Sequence, residues 1–195
     1  MISTIGNKVH WNYFIALEQD LENVSRYIEF SEDNLETYSI ELAHLLFASA
    51  SEVDVIAKLL CKRLRPTENP KNINQYKSII TTEIPDLPTI EIFINRYGLS
   101  FKPWERWLEL GNKNPLWWNS YNKVKHQRDK HFNRATLKNA INALGGLLIV
   151  TYYYYSYELG STNKQLSSKE TTRQLEPKST LLALPEDYYY NNLIV

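Results

Sequence analysis

The chain has 195 residues, a formal net charge of zero at pH 7 and 43% hydrophobic residues. That length suits one domain, or one domain with an appendage, and the apolar content suffices for a real core. Balanced charge leaves no global field toward nucleic acid or membrane, so polyanion binding would need a local patch. The single cysteine, Cys61, excludes an internal disulfide and argues against a thiolate metal cluster.

Residues 9–30 read as an amphipathic helix. Phe14, Leu17, Leu21, Val24 and Ile28 alternate at spacings of three and four, which stacks them on one face, while Glu18, Asp20, Glu22 and Glu29 fall mostly off it. Ser31-Glu32-Asp33-Asn34 is a polar break that offers caps for the next helix. Residues 37–64 predict a long helix with one stripe of Leu42, Leu46, Val53, Ile56 and Leu60. Leu45, Ala48, Val55 and Leu59 make a second stripe, so this helix is expected at the centre. Cys61 reads as a small buried hydrophobe. Arg65-Pro66 ends the helix, because a residue before proline is pushed out of the α region.

After a loop with Pro66 and Pro70, a short helix is expected from Ile73 to Ile80. Ile90–Asn95 and Leu99–Lys102, separated by Arg96-Tyr97-Gly98, predict a two-stranded hairpin inserted between helices, within residues 89–102. Residues 103–110 give one or two helical turns carrying Trp104, Trp107 and Leu108. Gly111-Asn112-Lys113-Asn114 is a turn. Pro115 then suits a helix N1 position with Asn114 as its cap, and the helix runs over 115–130. Asn133 and Thr136 are candidate caps for a helix over 135–158, whose core stripe is Leu137, Ile141, Leu144 and Leu148. Gly145-Gly146 costs helix propensity and marks a close helix crossing. Tyr152 to Tyr155 wraps all sides of that helix, which suggests an interface or a covered end.

From Gly160 to Thr180 the composition turns polar and reads as flexible. Leu181-Leu182-Ala183-Leu184 and Tyr188-Tyr189-Tyr190 are too apolar for a free tail and are expected to pack back. The expected fold is all-α: a bundle of four to five main helices over residues 1–158, and a partly flexible tail over 159–195. No run of 18 apolar residues predicts a membrane span, and Met1–Lys8 lacks the apolar region of a signal peptide. The cytoplasm is the expected location. P-loop, G-x-G-x-x-G, H-E-x-x-H and G-x-S-x-G patterns do not occur, and no cofactor is expected.

Polar chemistry concentrates behind the pair Trp117-Trp118. As a helix, the segment puts Trp117, Tyr121, Val124 and Arg128 on one face and Trp118, Asn122, His126 and Asp129 on a neighbouring one. Tyr121 to Arg134 carries five Lys/Arg (Lys123, Lys125, Arg128, Lys130, Arg134) against one acid, Asp129. Imidazole can move a proton near neutral pH. Asn122 can hold a phosphate oxygen or orient the ring, and Lys125 and Arg128 can neutralise a phosphodiester. His131 reads as a helix-end cation. Glu52 stands among apolar neighbours on the 37–64 helix and needs a buried partner, for which His126, Lys125 or Arg128 are candidates. Asp54 and Lys58 make an i,i+4 surface pair, while His10 and His44 have no partner legible in sequence and read as structural.

Tyr121-Asn122-Lys123-Val124-Lys125-His126 resembles the motif of the HEPN superfamily (higher eukaryotes and prokaryotes nucleotide-binding), an Arg, then a polar residue, a short spacer and a His on a late helix. Asn122 and His126 match. Tyr121 stands where the family has Arg, and only two residues separate Arg128 from His131, so that pair does not replace it. The resemblance implies a helical, commonly dimeric domain of a bacterial defence or toxin–antitoxin system. It implies RNA or nucleotide binding and metal-independent endoribonuclease activity. His126, Asn122 and Glu52 would be the catalytic group, and Tyr121, Lys123, Lys125, Arg128 and Lys130 the phosphate-binding group. An antitoxin or other protein partner and a homodimer are the implied partners. The alternative is a non-catalytic interaction domain, favoured by the neutral phenol of Tyr121.

Overall fold

The computed structural model describes residues 7–160 and 165–189. Its described residues are mostly helical, with seven α-helices and one small antiparallel sheet. Two long helices dominate: α2 (Ile40–Leu64) packs along α6 (Leu137–Glu158). Around this pair lie α1 (Val9–Val24), α3 (Ile73–Glu83) and α4 (Leu116–His126). Leu42, Leu46, Val53, Ile56 and Leu60 of α2 are fully buried, as are Leu137, Ile141 and Leu144 of α6, with Leu148 nearly so. The expected second stripe of α2 does not sink into the core. Leu45 is buried, Ala48 and Leu59 are half-buried, and Val55 is 42% exposed. The helix is nonetheless central as expected, since α2 packs against α1, α3, α4 and α6.

Helix boundaries follow capping more closely than apolar periodicity. The α2 helix starts at Ile40 because the Ser39 hydroxyl accepts from Leu42 N–H, so the Ser31–Asn34 break is not its cap. The α6 helix starts behind Thr136, whose hydroxyl accepts from Asn139 N–H, so Thr136 and not Asn133 is the cap. The α1 helix stops at Val24, short of the expected residue 30, and Phe30 reaches the core from the following turn. Pro115, not Asn114, flanks α4, and no side-chain cap forms there.

The hairpin is present as β1 (Ile92–Ile94) and β2 (Leu99–Phe101), with Ile94 opposite Leu99. Gly98 closes the turn at φ +64, a conformation that side-chain-bearing residues rarely adopt. Gly145 and Gly146 admit the hairpin and two indoles, one of them Trp117 of the crossing helix α4. A Cβ at Gly145 would stand 2.8 Å from Ile92 Cγ1, and one at Gly146 3.1 Å from Trp117 Cζ2. The Trp104 indole N–H donates to Gly146 O at 3.2 Å.

Part of the polar Gly160–Thr180 segment, expected to be flexible, is regular; its residues 161–164 lie outside the described residues. Within it, Ser167 and Glu170 form a capping box that starts α7 (Ser168–Gln174). The following strand-like piece pairs Ala183 with Phe93 through two backbone hydrogen bonds, extending the hairpin. Leu181, Leu182 and Leu184 are buried as expected, and Tyr188 and Tyr189 pack against the core. Tyr190 lies outside the described residues.

Among the described residues, no helix is long and apolar enough to cross a membrane.

Candidate nucleic-acid interface

The α4 helix is fixed by its tryptophans. Trp117 N–H donates to Pro103 O at 2.9 Å, and its ring meets Trp104 and Trp118 edge-on at 5.3 and 5.7 Å. Val124, in the last turn, joins Ala43 and Ala135 in a small separate apolar cluster flanked by Phe47 and Phe132. Both tryptophans are thus core anchors, and the opposite side of α4 is left to solvent.

The helix expected over 115–130 is broken. The α4 helix ends at His126, Gln127 takes φ −144 and ψ 58, and a single turn α5 (Arg128–His131) follows, then a 3-10 turn over Phe132–Arg134. Two physical reasons favour the break. It leaves Lys123, Lys125 and His126 in the last turn of α4, where the helix dipole favours cations. It also swings Phe132 and Ala135 back onto Val124 and allows Thr136 to bridge Tyr38. Arg128 consequently leaves the face of Trp117 and Tyr121. Its guanidinium lies over the Phe47 ring, 5.1 Å from the centroid, and Phe47 in turn meets Tyr121 edge-on at 5.9 Å.

Asn122, Lys123, Lys125 and His126 all lie along the outer part of α4, yet they do not converge. The Asn122 amide donates to Trp118 O at 3.0 Å, four residues back on its own helix, and does not orient His126. The Lys125 ammonium donates to the Tyr121 hydroxyl at 3.2 Å and sits 5.3 Å from that ring's centroid. Lys123, His126, Lys130 and Arg134 are exposed, and their side chains make no hydrogen bond or ion pair among the described residues. Asp129, the lone acid of the run, pairs with none of them. The result is an open basic ridge bordered by Tyr38, Phe47, Tyr121 and Phe132, with Tyr38 edge-on to Phe132 at 5.7 Å.

Glu52 belongs elsewhere. It is largely buried, as its apolar neighbours require, but its partner is His10 of α1: Nδ1 lies 2.6 Å from Oε1, and the two side chains are 21% and 16% exposed. The expected partners in residues 121–131 are not used. His10, which has no sequence-legible partner, therefore acquires one 42 residues away, and its ring also meets Tyr154 edge-on at 5.6 Å.

A second polar feature escaped the sequence. Glu18 is 2% exposed and is not off the apolar stripe of α1. Its carboxylate accepts from the Ser179 hydroxyl and from the backbone N–H groups of Thr180, Leu181 and Leu182, at 2.5–3.2 Å. The signal was available: Glu18 stands four residues after Phe14 and three before Leu21, the spacing of the core face.

Around it the tyrosines of α6 close the end of the helix. The Tyr153 and Tyr188 hydroxyls lie 3.0 Å apart, and burial pushes the phenols of Tyr152, Tyr153, Tyr154, Tyr155, Tyr157 and Tyr188 upward, Tyr152 to about 12. Burial also raises the Cys61 thiol to about 12. The expected pair Asp54–Lys58 forms at 2.5 Å, and Asp54 also accepts from the buried Tyr76 hydroxyl at 2.9 Å.

Among the described residues, no group of three or more His, Cys, Asp or Glu side chains is placed to hold a metal ion. Comparison of the chain with protein-family models, with curated proteins and with solved structures returns no match.

Proposed function

We propose that the protein is a HEPN-like RNA-binding protein that holds single-stranded RNA along the Tyr121–Arg134 ridge. One observation carries this reading. Lys123, Lys130 and Arg134 are cations without a counter-charge among the described residues, in a chain whose net charge is zero. Unneutralised cations release no internal partner on meeting a phosphate, so their full attraction is available to the ligand. Lys125 and Arg128 rest on aromatic rings, which pre-orders them, and Arg stacking is compatible with base contact. Tyr38, Phe47 and Phe132 supply the neighbouring apolar edges.

Binding is favoured over cleavage. A general acid–base His needs an orienting group, and neither Asn122 nor Glu52 reaches His126. Tyr121 brings a neutral phenol where the family places a charge. A ribonuclease activity would require a second copy of the chain to complete the site around His126. The alternative, a non-catalytic domain whose ridge takes an acidic protein such as an antitoxin, rests on the same free cations.

The test is anisotropy of a labelled single-stranded RNA over a salt series. Affinity should fall steeply as salt rises, and Lys125→Ala and Arg128→Ala should each weaken binding and flatten the salt dependence. Absence of binding at low salt rejects the RNA reading. Cleavage in EDTA that His126→Ala abolishes would restore the nuclease.

A further inference from the structure

At the tyrosine end, a pocket of about 220 Å³ lies between Trp11 of α1, Leu148 and Tyr152 of α6, and Leu175 and Leu184 of the C-terminal segment. Each of these five wall residues is less than 5% exposed, so the pocket is sunk into the apolar core. Its mouth is formed by Lys178, which is exposed, and by Ser179 and Tyr189, which are half-buried.

The polar groups around the pocket are committed to the fold. The Lys178 ammonium donates to Thr172 O and Leu175 O and pairs with Glu176 at 2.8 Å, so its charge is met within the chain. The Ser179 hydroxyl lies 2.5 Å from Glu18 Oε1 and 2.6 Å from Leu182 O. The Thr172 hydroxyl lies 3.0 Å from Tyr188 O, and the Trp11 indole N–H donates to Pro177 O at 2.8 Å. The Tyr189 hydroxyl accepts from Leu184 N–H at 3.1 Å.

We propose that this pocket binds an uncharged aromatic molecule of one or two fused rings. Size sets the first limit. An apolar cavity of roughly 150 Å³ holds benzene, and drug-sized pockets begin at roughly 300 Å³, so the volume suits a substituted single ring or an indole-sized pair. Charge sets the second. A buried ion needs a partner, and the one ammonium at the mouth already has its counter-charge in Glu176. Ring geometry sets the third. Trp11, Tyr152 and Tyr189 surround the space, and a flat ring can meet such neighbours edge-on or offset. Water is a poor occupant, because it needs two to four polar partners and the groups present are engaged.

Such a ligand touches α1, α6 and the C-terminal segment at once. If it binds only when that segment is seated, it shifts the segment toward the seated form by mass action. The site uses no residue of the basic ridge and does not rest on the RNA-binding reading.

The experiment uses indole and toluene as probes, with benzoate and benzylammonium as charged rings of similar size. Limited proteolysis of residues 175–184 reads the seating of the segment. Indole or toluene should slow cleavage about tenfold at a concentration ten times Kd, with Kd on the order of 0.1 mM, within the reach of seven to nine non-hydrogen atoms. The charged rings should leave cleavage unchanged. Leu148→Phe and Leu175→Phe each fill the pocket and should abolish the protection. Because overpacking can destabilise a core, the wild type supplies a second readout: nuclear Overhauser effects from the ring protons to the methyl groups of Leu148, Leu175 and Leu184. Protection by indole or toluene together with those contacts establishes the site. No protection by either neutral ring at millimolar concentration overturns it, as do ring contacts to other methyl groups, or equal protection by benzoate or benzylammonium.

Discussion

The two ends of the molecule use their polar residues in opposite ways. At the tyrosine end, where α1, the second half of α6 and the C-terminal segment meet, polar side chains are committed to the fold. Glu18 accepts four hydrogen bonds, His10 holds Glu52, and Tyr153 meets Tyr188. At the basic end, along α4, α5 and the turn that follows, the side chains of Lys123, His126, Lys130 and Arg134 hold nothing among the described residues. Buried polar groups must be partnered because leaving one unsatisfied costs about 1–3 kcal/mol, whereas exposed ones are satisfied by water. The region richest in charge along the sequence is thus the one the fold needs least. That is the physical sense in which it is available to a ligand.

Alkali should break the tyrosine end first and most completely. Burial raises Tyr152 from 10.0 to about 12, raises Cys61 from 9.0 to about 12, and shifts Tyr76, Tyr153, Tyr154, Tyr155, Tyr157 and Tyr188 in the same direction. A raised folded-state pKa means that the native state keeps protons the unfolded chain would lose. The stabilisation is therefore full below the unfolded values, near 9 for the thiol and 10 for the phenols, and is lost as pH climbs through about 12. Denaturation midpoints measured over this range should fall continuously. A midpoint flat from pH 9 to 12 would mean that these groups are not buried as described.

Next in size is Glu18→Ala. It removes the acceptor of one hydroxyl and three backbone N–H groups, and the loss should be on the order of 3 kcal/mol, since hydrogen bonds to charged groups contribute about 1.5–3 kcal/mol each and the freed donors partly regain water. Residues 176–184 should become open to limited proteolysis, while RNA affinity stays at the wild-type value. Unchanged stability and no new cleavage would show that the carboxylate does not hold the C-terminal segment.

The same contrast explains what was legible in the sequence. The core stripes of α2 and α6 were readable because a periodic apolar pattern is local, and so was the hairpin, marked by Gly98 between two apolar runs. The α7 helix was missed because its seven residues are polar, although Ser167 and Glu170 spell a capping box. The break at Gln127 carries no Gly or Pro; tertiary packing of Phe132 and Ala135 decides it. Site partners were the hardest part. The burial of Glu52 is legible from its apolar neighbours, but a single sequence does not encode which base, 42 or about 75 residues away, reaches it. The candidate phosphate-binding residues were found by density alone.

Glu52→Ala sharpens the separation of the two ends. It strips His10 of its partner and should cost about 1.5 kcal/mol, the lower range for a hydrogen bond to a charged group because both side chains keep some solvent contact. RNA affinity should not move. A matched fall in affinity would show that the dyad and the ridge are coupled, and the picture of two independent ends would fail.

His126→Ala should have the smallest effect on stability and the most informative effect on function. The ring is exposed at the end of α4 and touches no hydrogen-bond partner, so the change should stay within about 0.5 kcal/mol in denaturant unfolding. RNA affinity at neutral pH should fall only a few-fold, because Lys123, Lys125, Arg128, Lys130 and Arg134 still carry the charge that meets phosphate. Affinity equal to the wild type would place His126 outside the contact surface. A stability loss of several kcal/mol would mean that the ring is structural after all, and would return it to the kind of role that His10 fills at the other end.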